Sequence, residues 1–178
     1  MAEALPIIQL GNPILRESAP PILDPDDADI QALIDDLIET AYQTNGVGIA
    51  APQVGRSHRL FVVASRPNLR YPHAPSMEPT AMINPRIISH SEAIVKGWEG
   101  CLSVPELRGF VPRYETVDVE YSDRQGQLCW QQLSGFVARI FQHEYDHIEG
   151  RVFVDRLETT RELMSEREYH RRIVLGEG

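Results

Sequence analysis

The sequence GFVARIFQHEYDHI at positions 135–148 decides which fold the chain can adopt. At helical spacing, His143 and His147 share one face with apolar residues, and the adjoining face is largely apolar as well. A helix that is apolar around so much of its circumference belongs in a protein core. Gly150 stands just beyond this stretch and is suited to cap it. The sequence therefore predicts an interior helix that other elements must cover.

The same helix carries a candidate metal site at His143 and His147. Residues i and i+4 stack on one helical face, so both imidazoles can reach a single metal ion. Glu144, next to the first histidine, can carry protons for chemistry at that ion. The alternative is an exposed helix with two ordinary histidines. The apolar flanks argue against it, because they indicate an interior helix in which histidines and carboxylates need partners.

Cys101 is the candidate for a third metal ligand, since a catalytic site usually has three ligands from the protein. It lies in the segment EGCLS at positions 99–103, where the chain is expected to turn sharply before Pro105. A thiolate and two imidazoles suit a borderline divalent metal. Without the paired histidines, Cys101 would be interpreted as a buried free thiol.

The segment GVGIAAPQ at positions 46–53 is a candidate binding loop. It lacks the third glycine and the acidic partner of a dinucleotide-binding loop, and it follows a helix instead of a strand. Its small residues allow close approach to the backbone, so a cradle for an extended peptide fits better. The neutral amide of Gln53 can donate to a developing negative oxygen. The alternative is a tight turn after the first helix.

The rest of the chain mixes one further helix with antiparallel strands. Apolar periodicity predicts a helix from Asp26 that ends near Asn45, and Pro85 predicts an edge position or a bulge in its strand. The charges of both signs after residue 155 predict a solvated helical tail over 155–178. Strands are predicted at 60–64, 81–88, 117–121 and 127–133, with a long loop at 65–80. The predicted fold class is α+β, with mostly antiparallel sheets packed around a buried central helix that carries the HExxH motif.

Length and charge narrow the classes of protein. A chain of 178 residues, 42% of them hydrophobic, is expected to form a single domain over 1–178. The formal net charge of −9 argues against a broad electrostatic grip on nucleic acid or an anionic membrane. The N-terminus does not resemble a secretory signal, and no stretch approaches the roughly 18 apolar residues of a membrane span. With only two cysteines, the sequence predicts a soluble intracellular protein in which Cys129 is a small core residue.

Together and in this order, the three segments resemble the motifs of the peptide deformylase family. The family has a glycine-alanine loop ending in Gln, a Glu-Gly-Cys-apolar-Ser segment and a Gln-His-Glu-x-Asp-His helix. Positions 46–53, 99–103 and 142–147 match all three, and the similarity extends from about Ile7 through Leu157. The resemblance implies a metal-dependent hydrolase that removes the formyl group from the N-terminal formylmethionine of new polypeptides and releases formate.

The resemblance also implies roles at the reaction centre. Glu144 would be the catalytic acid and base. The side chain of Gln53 and the backbone N–H of Leu102 would hold the formyl oxygen as it becomes an oxyanion. The implied metal ligands are Cys101, His143 and His147.

Further positions would bind the peptide if the resemblance holds. Backbone at Gly48 and around Glu99 and Gly100 would hold it as an added strand. Arg108 would contact the peptide beyond methionine, the alternative being a solvated side chain. The implied lining of the methionine pocket is Val47, Phe136, Ile140 and His143. A pairing of Glu99 with Arg113 would support this site. Trp98 and Arg139 depart from the usual pattern of the family and would narrow or polarise the substrate entrance.

The implied cofactor is one divalent metal per chain, with Fe(II) as the natural ion and zinc, nickel or cobalt as substitutes. The implied partners are N-formylmethionyl nascent polypeptides, with at most a weak ribosome contact through the tail after Asp155. No specific nucleic acid and no membrane is expected. Because formylated initiators occur in bacteria and in organelles of bacterial origin, the expected location is the bacterial cytoplasm, or else an organelle matrix or stroma.

Two other functions stay open from the sequence. One is an endopeptidase of the HExxH type, in which Glu166 or Glu168 completes the metal site. The other is a noncatalytic protein with a structural metal. The endopeptidase leaves the loop at 46–53 and Cys101 unexplained, and the presence of Glu144, Gln53 and three ligands argues against a merely structural metal.

Overall fold

Two antiparallel sheets dominate the structure, a computed structural model that describes residues 2–177. The strands are β1 (Gly48–Ala50), β2 (Leu60–Val63), β3 (Thr80–His90), β4 (Ile94–Cys101), β5 (Val104–Tyr114), β6 (Thr116–Ser122), β7 (Leu128–Ser134) and β8 (Leu163–Ser165). The larger sheet has the order β1-β2-β3-β6-β7 and the smaller one β4-β5-β8. Both sheets are antiparallel throughout, so the predicted mixed architecture with antiparallel sheets is confirmed.

Helix α1 (Ala28–Gln43) covers one face of the larger sheet. Asp27 caps it, because its side chain accepts hydrogen bonds from the backbone N–H of Asp29 at 2.8 Å and of Ile30 at 3.3 Å. The apolar face of the helix shares one core cluster with β1 and β2. Asn45 has a φ of 53°, the left-handed conformation of a helix end, so the predicted end of this helix is confirmed.

Helix α2 (Gly135–Ile148) lies on the other face of the larger sheet and has the bounds of the stretch quoted first. Its apolar side chains share a second core cluster with β2, β3, β6 and β7. Phe141 packs edge to face against Phe61 of β2, with ring centroids 5.2 Å apart. At Gly150 the φ is +71°, and a Cβ would lie 2.8 Å from the backbone of Arg16, so only glycine fits after the helix.

Strand β3 bears out the disturbance expected at Pro85, whereas the expectation for Cys129 needs correction. In the sheet order β3 is an interior strand, but its pairing with β2 ends at Ile83, so Pro85 has no ladder partner on that side. The pairing with β6 shifts register between Ile83 and Arg86, which is the expected bulge. Cys129 is only half-buried on edge strand β7, at the margin of the core.

The tail after Asp155 is not one helix. Short helical turns at 153–156 and 160–162 lead into β8, which is followed by helix α3 (Glu166–Tyr169) and a helical turn at His170–Val174. Strand β8 pairs with β5, with Arg108 opposite Met164. Charge patterning is a local signal, and it could not reveal a pairing with a strand more than fifty residues earlier.

Among residues 2–177, no helix combines the length and the apolar composition that crossing a bilayer requires.

Candidate active site

Cys101, His143 and His147 bring three candidate ligand atoms together. The two histidines lie one turn apart on α2, with ring centroids 5.2 Å apart. Cys101 ends β4, and its Sγ lies 3.2 Å from Nε2 of His147. One ligand atom from each of the three residues lies within 4.8 Å of the others. This group could bind a metal ion.

The surroundings of these atoms fit a metal. Oε2 of Glu144 is buried without a hydrogen-bond partner among the described residues, an arrangement that a protein interior tolerates poorly. Burial alone would raise the pKa of the Cys101 thiol, but His147 and His143 beside it lower that pKa well below its usual range. A thiolate with two imidazoles is a sound donor set for zinc, iron or a similar divalent ion.

Glu99 fixes the orientation of His143. Its Oε2 lies 2.9 Å from Nδ1 of His143, which leaves the other ring nitrogen of that histidine for a metal. Arg113 binds both oxygens of Glu99 at 2.9 Å, and Arg139 donates to one of them at 2.8 Å. Burial would raise the pKa of Glu99, but the charge of Arg113 and the bond with His143 lower it overall. The Glu99 side chain therefore supports a histidine, while its backbone lies in β4.

Asp146 extends this buried ion-pair network. It contacts Arg113 at 2.6 Å from Nη1, and Arg156 binds it from the protein surface. The pairing of Glu99 with Arg113, which the resemblance implied, is present in the structure. The sequence motifs did not indicate that Arg139 and Asp146 would take part in this ion-pair network, because their partners lie on strands far away in sequence.

Glu144 lies beside the three candidate ligands and lines the same cavity as two of them. Burial raises the pKa of Glu144 to about 7, against the opposing effect of His143 and His147. A carboxyl with that pKa can both accept and return a proton near neutral pH. Gly48 packs against its side chain, since a Cβ added at Gly48 would lie 2.6 Å from Oε1.

The side-chain amide of Gln53 also faces the candidate metal site, beside Cys101. Its Oε1 accepts a hydrogen bond from the backbone N–H of Ala50 at 2.9 Å, which fixes the side chain. Nε2 points toward Sγ of Cys101 at 3.4 Å and Oγ of Ser103 at 3.3 Å. Leu102 follows Cys101 and also lines the cavity, so both candidate oxyanion donors lie at the candidate metal site.

A single cavity joins most of the predicted site residues. Its lining contains Val47, Gly48, Gln53, Trp98, Glu99, Gly100, Cys101, Leu102, Phe136, Arg139, Ile140, His143 and Glu144. Sequence reasoning missed Arg70 and Tyr71, which enter from the long loop before β3. Nothing in that proline-rich stretch distinguished them from other loop residues.

Arg108 does not line this cavity and is not solvated. Its side chain is only 2% exposed and forms an ion pair with Glu166 in α3. Glu166 and Glu168 therefore do not belong to the metal group, since Glu168 pairs with Arg171 on the outer side of the same helix.

Comparison with known proteins agrees with this geometry. The sequence model of the polypeptide deformylase family matches residues 4–162. Peptide deformylase 2 of Nostoc sp. is 63% identical over 167 residues, covering 94% of this chain and 93% of the relative. Peptide deformylase 2 of Shewanella oneidensis is 45% identical over 152 residues, covering 85% and 83%.

Solved structures of peptide deformylases also resemble this chain. The class I type b peptide deformylase of Acinetobacter baumannii, with Met-Ala-Ser bound, superposes with a TM-score of 0.85 at 45% identity, covering 88% of this chain and all of that one. A peptide deformylase of Synechococcus elongatus in complex with actinonin gives a TM-score of 0.78 at 34% identity, covering 89% and 81%. The chain therefore belongs to the peptide deformylase family of metal-dependent enzymes.

Proposed function

We propose that this chain removes the formyl group from N-formylmethionyl nascent polypeptides, with Cys101, His143 and His147 holding one divalent metal, Fe(II) in the cell. The observation that carries the proposal is the convergence of these three ligand atoms beside Glu144 in one cavity. When bound, such a metal acts as a Lewis acid and makes hydroxide available at neutral pH. Zinc, nickel and cobalt suit the same donor set.

Glu144 moves the protons. Its buried carboxyl, with a pKa raised by burial to about 7, takes a proton from the attacking water and returns one to the leaving amine. Gln53 and the backbone N–H of Leu102 donate to the formyl oxygen as negative charge develops there. Because the Gln53 amide is already held by Ala50, it needs no reorientation during the reaction.

The peptide lies between β1 and β4. Backbone at Gly48, Glu99 and Gly100 binds it as an added strand, through the backbone N–H and C=O groups of these residues. The methionine side chain enters the apolar part of the cavity. The proposed lining of that pocket is Val47, Phe136, Ile140 and His143.

The proposal includes the domain organisation, the location and the partners of the chain. The chain forms one domain, in which α2 is the central helix that carries the metal motif between the sheets. It works in the bacterial cytoplasm, where formylated nascent chains arise, and the tail after Asp155 makes at most a weak ribosome contact. The net charge of −9 supports the absence of a specific nucleic-acid or membrane partner.

Glu144→Gln tests the assignment of the proton carrier. The variant keeps the shape of the side chain, so we expect retained metal and a loss of formate release from formyl-Met-Ala-Ser. Retained turnover in the metal-loaded variant would contradict this role of Glu144.

Cys101→Ala separates the deformylase from an HExxH endopeptidase, since only the deformylase site needs the thiolate. Unchanged metal content and formate release in this variant would contradict our assignment.

A further inference from the structure

The family's sequence pattern ends at residue 162, yet the residues just beyond it lie close to the substrate cavity. Strand β8 begins at Leu163 and pairs with β5 from Leu107 to Gly109. This pairing brings α3 next to β5, which in turn pairs with β4, the strand that ends in Gly100 and Cys101. The position of the tail is therefore fixed by the backbone pairing of β8 with β5.

Glu166 in α3 binds Arg108 of β5 through both carboxylate oxygens. The distances are 2.6 Å from Nε and 2.7 Å from Nη2, a bidentate geometry that fixes the guanidinium plane. Arg108 is 2% exposed, whereas the Glu166 side chain is 46% exposed. A buried guanidinium needs a counter-ion, and Glu166 is the carboxylate that meets it among the described residues.

Arg108 in turn supports two parts of the cavity wall. Its Nη1 donates to the hydroxyl of Tyr71 at 3.3 Å. Its guanidinium also packs beneath Gly100, where an added Cβ would lie 2.9 Å from Cζ. Tyr71 packs against Phe136 with ring centroids 5.4 Å apart. Tyr71, Gly100 and Phe136 all line the cavity.

Tyr169 gives the tail a second contact with this wall. Its ring lies 5.5 Å from that of Trp98, which lines the cavity, and 4.9 Å from the guanidinium carbon of Arg108. Arg108 thus contacts Glu166 and Tyr169 of the tail on one side and the cavity-lining residues Tyr71 and Gly100 on the other.

We propose that the C-terminal segment 163–169 is part of the substrate site, in which Glu166 is a positioning residue that fixes Arg108 and, through it, Tyr71 and the Gly100 backbone. The proposal rests on the proposed function for the identity of the peptide. Glu166 touches none of the three candidate metal ligands and does not touch Glu144. Its loss therefore affects how well the peptide is held and leaves the chemical step unchanged.

Glu166→Gln is the direct test, because it keeps the size of the side chain and removes the charge. We expect KM for formyl-Met-Ala-Ser to rise about fivefold, with kcat within about twofold of the wild type, as a weakened positioning contact outside the reaction centre should do. The matched control is Glu168→Gln in the same helix, whose side chain is 43% exposed and whose partner Arg171 does not touch the cavity. We expect the control to have the wild-type KM.

Tyr71→Phe provides a second variant that leaves the tail intact. It removes the hydroxyl that Arg108 contacts and keeps the ring, so KM should rise, and the double variant with Glu166→Gln should be no worse than the poorer single variant. A wild-type KM in Glu166→Gln, or additive effects in the double variant, would overturn the proposal. So would an equal rise in KM in the Glu168→Gln control.

Equilibrium binding of the peptide Met-Ala-Ser to the metal-loaded proteins separates this inference from the proposed function. Its Kd should rise in Glu166→Gln by about the same factor as KM and stay unchanged in Glu168→Gln. If the wild type binds the peptide but releases no formate from the formylated one, the proposed function fails and the Kd values alone judge the inference. Normal turnover by the wild type together with an unchanged Kd in Glu166→Gln would overturn this inference and leave the proposed function intact.

Discussion

Replacing Gly48 with alanine should disable the proton carrier without disturbing the candidate metal ligands. A Cβ at this position would lie 2.6 Å from Oε1 of Glu144 and 2.8 Å from Cγ2 of Ile140. Ordinary contact begins at 3.4 Å, so the carboxylate must retreat by about 0.8 Å. Gly48 lies in β1, held by β2 on one side, so the backbone cannot easily move away instead.

The size of the effect follows from that displacement. A misplacement near 1 Å at a reacting group costs about 100-fold in rate, and proton transfer by a positioned side chain contributes about 100- to 10,000-fold. We therefore expect kcat to fall about 30- to 100-fold in Gly48→Ala. The nearest atoms to the new methyl group belong to Glu144 and Ile140 and not to the three ligand residues, so we expect metal content to stay at the wild-type value.

The assay is formate release under saturating formyl-Met-Ala-Ser, with the bound metal determined on the same samples. Gly46→Ala is the matched control in the same loop, because its Cβ would meet nothing closer than 3.3 Å. We expect its kcat within about threefold of the wild type, as a contact that relaxes by a few tenths of an ångström allows. A Gly48→Ala enzyme with full metal and a kcat within threefold of the wild type would refute the placement of Glu144.

Three further predictions concern stability. Arg113→Met leaves two buried carboxylates without their shared counter-ion and should cost about 3–5 kcal/mol in urea denaturation, and a cost below about 1 kcal/mol would contradict the importance of this network. Leu37→Ala in the fully buried face of α1 should cost about 3 kcal/mol by the same method, and full retention of stability would mean that the site collapses around the deletion. The hydrogen bond from Arg108 lowers the pKa of Glu166, so the stability it contributes is present above the unfolded pKa and is lost as pH falls through the lower folded value. The difference in Tm between wild type and Glu166→Gln should therefore shrink in acid, and a difference that grows below pH 4.5 would contradict the pairing. The charged and titratable groups that face Glu166 are Arg108, Arg70 and His170.

The helices were predictable because their signals are local. The bounds of α2 follow from glycines at 135 and 150, which have φ values of +56° and +71° and cannot continue a regular helix. The end of α1 follows from Asn45 in the same way. The strands at 60–63 and the hairpin of β6 and β7 follow from apolar runs and from the turn at 123–126.

The tail and Pro85 were harder because long-range pairing decides them. Nothing near Leu163 indicates a strand, since β8 exists only by pairing with β5. Pro85 indicated a disturbance in its strand, but its neighbours in sequence could not show that the pairing with β2 ends and the register with β6 shifts there.

For the candidate site, motif chemistry found most of the residues that line the cavity, but not Arg70 and Tyr71, and of the supporting ion pairs only Glu99 with Arg113 was anticipated. Cys101 and the two histidines follow from ligand chemistry and helical spacing. The ion pairs of Arg139, Asp146 and Glu166 were not predicted, because they depend on partners brought close only by folding. Supporting charges of this kind leave no pattern in the sequence.

The most direct test of the account is formate release from formyl-Met-Ala-Ser by anaerobically purified protein, with and without a chelator, alongside elemental analysis. The account predicts about one metal per chain and formate production that the chelator abolishes and added Fe(II) restores. Fully metallated protein that releases no formate, or formate production that survives complete removal of the metal, would contradict it.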